Sequence, residues 1–153
     1  MTRQFFLANA VLLALSFSFW ANASEMEIIA KGTKPVTGIE APKASQNRRL
    51  YYFWATWCES CVEKLVKTLP EIKKNNPNWE ILTISMDDET DRIEHFQKKY
   101  KVTLPILQDQ SGQVRDQLKI SAVPSWMIFK KSSDDTWQLE NRGTGGTLPS
   151  FPQ

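Results

Sequence analysis

Two cysteines stand three positions apart in Trp57-Cys58-Glu59-Ser60-Cys61, and the chain has no others. Thiols at that spacing suit reversible disulfide exchange, half of a zinc site, or a fixed bridge. The zinc reading lacks partners, because His95 is the only histidine and there is no second cysteine pair. A fixed bridge here closes a very small loop and removes little unfolded-state entropy. Exchange chemistry fits best if the pair opens a helix. A thiolate on Cys58 is then stabilised by unpaired backbone N–H groups and the positive helix end. Cys61, one turn on, lies close enough to attack a mixed disulfide formed on Cys58. Cys58 is the expected nucleophile and Cys61 the resolving thiol, with no metal and no organic cofactor implied. The alternative is a non-catalytic interaction module that keeps a structural disulfide, and a reduction potential separates the two.

The elements around the pair are those such a site needs. Leu50-Tyr51-Tyr52-Phe53-Trp54-Ala55 is apolar on both faces and predicts a central strand that delivers the chain to Cys58. From Cys61 to about Lys74, the residues Cys61, Val62, Leu65, Val66, Leu69 and Ile72 recur at spacings of three and four, which predicts a helix with one buried stripe. Pro70 should kink it. Trp79 to Ser85 reads as a second strand, and Glu89 to Lys101 as a second helix with Ile93, Phe96 and Tyr100 inward. A short strand at Leu104 to Leu107, a short helix at Gly112 to Ile120 and a hairpin of Ser125 to Lys130 with Thr136 to Arg142 complete the pattern, with Trp126, Phe129 and Trp137 in the core. This is an α/β chain with a mixed central sheet and flanking helices.

Residues 24–47 carry Pro35, Gly38 and Pro42 among polar residues. They predict an extended N-terminal arm with room for one short edge strand at Ile28-Ile29-Ala30. Residues 1–23 are different again: Arg3 is the only charge before an apolar run from Phe5 to Trp20, followed by Ala21-Asn22-Ala23. That reads as a secretory signal peptide cut after Ala23. Its length would also let it remain as an anchor across a bilayer of about 30 Å. Residues 48–153 form the domain. Export places the protein in the periplasm or at the cell exterior, where disulfides persist. The net charge of +2, with basic and acidic residues interleaved, leaves no field for nucleic acid. Lys64, Lys67, Lys73 and Lys74 form a solvated helix face, and Gly143-Thr144-Gly145-Gly146 lacks the helix and lysine of a phosphate loop.

Tyr52-Phe53-Trp54-Ala55-Thr56-Trp57-Cys58-Glu59-Ser60-Cys61 resembles the active-site segment of the thioredoxin superfamily. Ser121-Ala122-Val123-Pro124-Ser125-Trp126 resembles that family's second landmark, a loop whose proline follows a cis peptide bond and faces the dithiol. The segment from Thr103 to Ser121 is most similar to the exported TlpA/ResA-like branch. The resemblance runs from about Leu50 to Gly143. It implies a thioredoxin-like protein-disulfide oxidoreductase acting on exported protein thiols or disulfides, with Trp57, Val123 and Pro124 as substrate-binding surface beside Cys58. A cis X-Pro bond leaves the preceding backbone free to pair with an extended substrate. As a reductant the protein would take electrons from a membrane thiol-relay donor.

Three departures from the family pattern stand out. Tyr52 occupies the place of a buried aspartate. Glu59 is a redox-tuning residue whose charge opposes thiolate formation on Cys58 and favours a reductant. After Arg142 too little chain remains, interrupted by Pro149 and Pro152, for the terminal helix of the fold, so the C-terminal helix is expected to be missing. The sheet face it would cover is then exposed, or covered by the arm or by a partner.

Overall fold

A computed structural model describes residues 24–36, 47–149 and 151. The segment read as an export signal, residues 1–23, and residues 37–46 of the arm lie outside the described residues. In chain order the elements are α1 (Glu25–Gly32), β1 (Lys34–Pro35), β2 (Arg48–Trp54), α2 (Glu59–Glu63), a π-helical turn (Lys64–Thr68), α3 (Leu69–Asn75), β3 (Trp79–Ser85), α4 (Thr90–Tyr100), β4 (Ile106–Gln108), α5 (Gln113–Leu118), β5 (Ser125–Lys131) and β6 (Trp137–Thr144).

The strands form one sheet in the order β1-β4-β3-β2-β5-β6. β2 lies parallel to β3 and antiparallel to β5, β3 is parallel to β4, and β1 and β6 close the edges in antiparallel pairings. β2 is therefore central, which is why it needs apolar side chains on both faces. Leu50, Tyr52 and Trp54 join one buried layer with Cys61, Leu65 and Leu69 of the helix after the dithiol and with Ile93 and Phe96 of α4. Tyr51 and Phe53 join the opposite layer with Ile29 of α1 and Val114 and Leu118 of α5. The mixed sheet with helices on both faces is the architecture the pattern predicts.

The arm differs from expectation, since Glu25–Gly32 is a helix rather than extended chain or an edge strand. Ser24 caps it by accepting the Glu27 N–H at 3.3 Å, and Glu27 pairs with Lys31 one turn later. These local terms outweigh the β preference of Ile28-Ile29. Ile29 is buried against α5, and a Cβ at Gly32 would come within 2.4 Å of Val114, so the glycine permits that close approach. The edge strand exists, but at Lys34–Pro35.

The helix after the dithiol also departs from a simple stripe. Cys61, Leu65 and Leu69 are fully buried, whereas Val66 is exposed. The expected kink at Pro70 takes the form of the π-helical turn just before it, in which the Leu69 N–H reaches back to the Lys64 carbonyl. Widening the helix there accommodates a proline that has no N–H to offer the ladder and whose ring crowds the preceding turn.

Among the described residues no helix follows β6. The face it would cover is instead met by the chain end: Leu148 and Phe151 pack on the first layer, and the Phe151 ring lies 5.0 Å from that of Trp79. The Trp126 indole N–H donates to the Thr147 carbonyl at 3.3 Å. β6 runs on to Thr144, past the expected end at Arg142, because Gly143 leaves room for the Trp126 ring, which a Cβ would meet at 2.4 Å.

Burial pushes the Tyr51 and Tyr52 phenols above their ordinary value of 10.0. The folded state thus keeps protons that the unfolded chain loses, so this contribution to stability is present below pH 10 and is lost as pH rises above it. The Tyr52 hydroxyl is buried without a hydrogen-bond partner among the described residues. Tyr52→Phe should leave stability at neutral pH within about 1 kcal/mol of wild type, or raise it, and should flatten the alkaline loss. Urea denaturation at neutral pH and above pH 10 checks both.

Candidate active site

β2 ends at Trp54, and Ala55-Thr56-Trp57-Cys58 forms a tight turn closed by the Cys58 N–H donating to the Ala55 carbonyl at 3.0 Å. α2 starts on the next residue, so Cys58 occupies the N-cap position with extended backbone and no side-chain cap. A sulfur there faces the first N–H groups of the helix, which have no partner of their own. The Cys61 N–H donates to the Cys58 carbonyl at 3.0 Å, and the two sulfurs are joined in a disulfide. Cys58 is 6% exposed and Cys61 0%. Cys58 at the helix tip keeps the little exposure the pair has, and Cys61 lies behind it on the buried stripe.

Trp57 and Glu59 flank Cys58 in the chain. Trp57 is 71% exposed, the most open large apolar side chain among the described residues. The Val123–Pro124 peptide is cis, Pro124 is buried, and its carbonyl accepts the Gly145 N–H at 2.7 Å. Val123 packs against the apolar layer that contains both cysteines. Glu59 is the first residue of α2, exposed, with no ion-pair partner among the described residues. Beside α2 an open groove runs from Glu59 and Ser60 past Val62 and Val66 to Tyr100 of α4. Tyr52 lies in the same buried layer as the cysteines. Its phenol stays neutral because burial raises its ionisation, so it cannot supply a carboxylate's proton acceptance. His95 is exposed on α4, away from any metal-like cluster among the described residues.

Two residues at the site escaped sequence reasoning. Ser60 places its hydroxyl 3.5 Å from the Cys58 sulfur. A hydroxyl between two cysteines is visible in the sequence, but only the geometry shows which sulfur it faces. Asp87, just past β3, accepts the Thr56 N–H at 2.8 Å and the Thr56 hydroxyl at 2.7 Å. Nothing in the sequence links residues so far apart.

Once the disulfide is reduced, the Ser60 hydroxyl can donate to the Cys58 thiolate. Ser60→Ala should therefore slow alkylation of reduced Cys58 at neutral pH by about three- to tenfold. Stopped-flow iodoacetamide kinetics checks this, and an unchanged rate would assign the hydroxyl to packing alone.

A family model described as Thioredoxin-like matches residues 48–134. The thiol-disulfide oxidoreductase ResA of Oceanobacillus iheyensis is 29% identical over 85 residues, covering 54% of this chain and 43% of that protein. The chain therefore spans under half the length of that relative. ResA of Geobacillus kaustophilus is 24% identical over 137 residues, covering 81% of this chain and 78% of the relative. Among solved structures, StoA from Bacillus subtilis superposes with a TM-score of 0.56 at 21% identity, covering 69% of this chain and 78% of that one.

Proposed function

The chain belongs to the thioredoxin-like family, and from that premise we propose that it is a protein thiol-disulfide oxidoreductase working through Cys58 and Cys61. The observation that carries the reading is the unequal placement of the two cysteines: Cys58 at the N-cap of a helix with 6% of its surface exposed, Cys61 0% exposed one turn behind. The relatives named as thiol-disulfide oxidoreductases support it.

In the reducing direction the Cys58 thiolate attacks a partner disulfide, forming a mixed disulfide and releasing one partner thiolate. Cys61 then attacks the Cys58 sulfur, the second partner sulfur leaves, and the Cys58–Cys61 disulfide forms. The partner gains two electrons and two protons, which the dithiol loses. Exposed Trp57 and half-buried Val123 offer the partner an apolar contact, with buried Pro124 shaping the loop that carries Val123, and the groove along α2 adds to it.

The partners are exported proteins, and the protein acts in the periplasm or at the cell exterior. Glu59 sets the direction: a carboxylate next to Cys58 opposes the thiolate, destabilises the reduced form and favours giving electrons away. A reductant outside the cytoplasm has to be recharged, so a membrane thiol-relay protein is its electron donor.

Cys58→Ser should abolish turnover in a protein-disulfide reduction assay. Cys61→Ser should accumulate mixed disulfides visible on non-reducing gels, because the nucleophile remains while the resolving step is lost. The potential of the couple, measured against glutathione or dithiothreitol, should lie above about −300 mV. A lower value together with full activity of Cys58→Ser would return the pair to a structural bridge.

A further inference from the structure

We propose that Asp87 is a positioning residue for the dithiol, its carboxylate fixing Thr56 and through Thr56 the turn that holds Cys58 at the helix tip. The proposal rests on the exchange reading above and names what keeps that site assembled.

Asp87 is only 4% exposed, yet it has no cationic partner among the described residues. Its charge is met by three neutral donors instead. One oxygen accepts the Thr56 N–H and the Ser85 hydroxyl, at 2.8 and 2.7 Å, and the other accepts the Thr56 hydroxyl at 2.7 Å. The carboxylate is itself held from behind. The Asp87 N–H donates to the Ser85 hydroxyl at 3.2 Å, and the Asp87 carbonyl accepts the Gln108 amide at 3.1 Å. Gln108 in turn accepts the Thr90 hydroxyl at 2.8 Å. Asp87 is thus tied to the ends of β3 and β4 and to the start of α4.

Thr56 is the second residue of the Ala55–Cys58 turn, and Trp57 after it is 71% exposed. The closing bond from Cys58 to Ala55 fixes the ends of the turn, while Asp87 fixes its middle by both main chain and side chain. A loosened turn lets Cys58 drift from the helix N–H groups that favour its thiolate, an effect confined to the first turn. A buried carboxylate near a thiol would by itself act the opposite way, by repelling the thiolate. The two roles predict shifts of opposite sign, which makes them separable.

The test is the pH dependence of iodoacetamide alkylation of Cys58 in the reduced full chain, with circular dichroism to verify folding. If Asp87 positions the turn, Asp87→Ala raises the midpoint of the profile and slows alkylation at neutral pH by about tenfold. Asp87→Asn keeps an oxygen for Thr56 and loses less, and Thr56→Val, which removes one donor, adds nothing on top of Asp87→Ala. Should Asp87→Ala fail to fold, the Asn and Val variants carry the same comparison. A lowered midpoint in the Asp87 variants, or folded variants with an unmoved midpoint, would overturn the positioning role. Full disulfide-reduction turnover by Cys58→Ser would instead overturn the exchange reading beneath it.

Discussion

The attraction between a thiolate and a helix N-terminus fades within one turn, so a sulfur that depends on it has to be held there by the backbone. In this protein that constraint falls on four residues, Ala55 to Cys58. The sheet supplies the anchor: β2 is bonded along its length to β3 on one side and β5 on the other. The Met86 N–H extends that anchorage to the last residue of the strand, donating to the Trp54 carbonyl at 2.8 Å. With the strand fixed and the turn closed, the register of the helix decides the rest. Cys58 comes before the first helical residue and keeps 6% of its surface exposed, while Cys61 falls on the inward stripe. The difference in exposure between the two cysteines is a consequence of where the helix starts.

Keeping Cys61 on that stripe places a demand on the helix below it. Cys61, Leu65 and Leu69 recur every four residues, and all three are fully buried. A stripe with that spacing winds slowly around a regular α-helix, which has 3.6 residues per turn. The wider π-helical turn between Lys64 and Thr68 counters the drift, so the same irregularity that accommodates Pro70 holds the stripe against the sheet. Burial of Leu65 and Leu69 contributes about 1.5–3 kcal/mol each, enough to fix the orientation of the turns that carry the dithiol.

The parts of the molecule that follow from periodicity were legible in the sequence. β2, β3, α4 and β5 have unambiguous apolar patterns; β3 has the expected bounds, and those of β2, α4 and β5 differ from expectation by one or two residues at an end. Where the reading went wrong, a local term competed with composition. Ile28-Ile29 looked like strand, but Ser24 with Glu27 three residues later is a helix-start signal that the prolines further along obscured. Val66 falls off the expected inward stripe because the turn that contains it, ahead of Pro70, is π-helical rather than regular α. At the site, the Cys-x-x-Cys pair identified itself by spacing. Ser60 and Asp87 did not, since their parts depend on distances across a turn and across the sheet. What packs on the first layer where the described residues show no helix after β6 was equally hidden, because Leu148 and Phe151 carry no periodic pattern.

The placement of carboxylates bears on how the proposed exchange handles its second proton. Cys61 is buried, and its attack requires loss of a proton to some base. The described buried carboxylates are Glu80, Asp87 and Asp109. Glu80 is paired with Arg49 at the opposite end of β2 from Trp54. Asp109 accepts the Val114 and Arg115 N–H groups at the start of α5, and Asp87 is committed to Thr56 and Ser85. Tyr52, in the layer of the cysteines, stays protonated because burial disfavours its phenolate. Asp87 and Asp109 are committed to donors, and Glu80, one of whose oxygens has no hydrogen-bond partner among the described residues, lies at the far end of β2 from the dithiol. The acceptor that the reaction itself provides is the partner sulfur displaced from Cys58, which leaves as a thiolate just as Cys61 must be deprotonated. Among the described residues the interior behind the dithiol is apolar, so in the proposed exchange the Cys61 proton leaves with the departing partner thiolate rather than to an internal carboxylate.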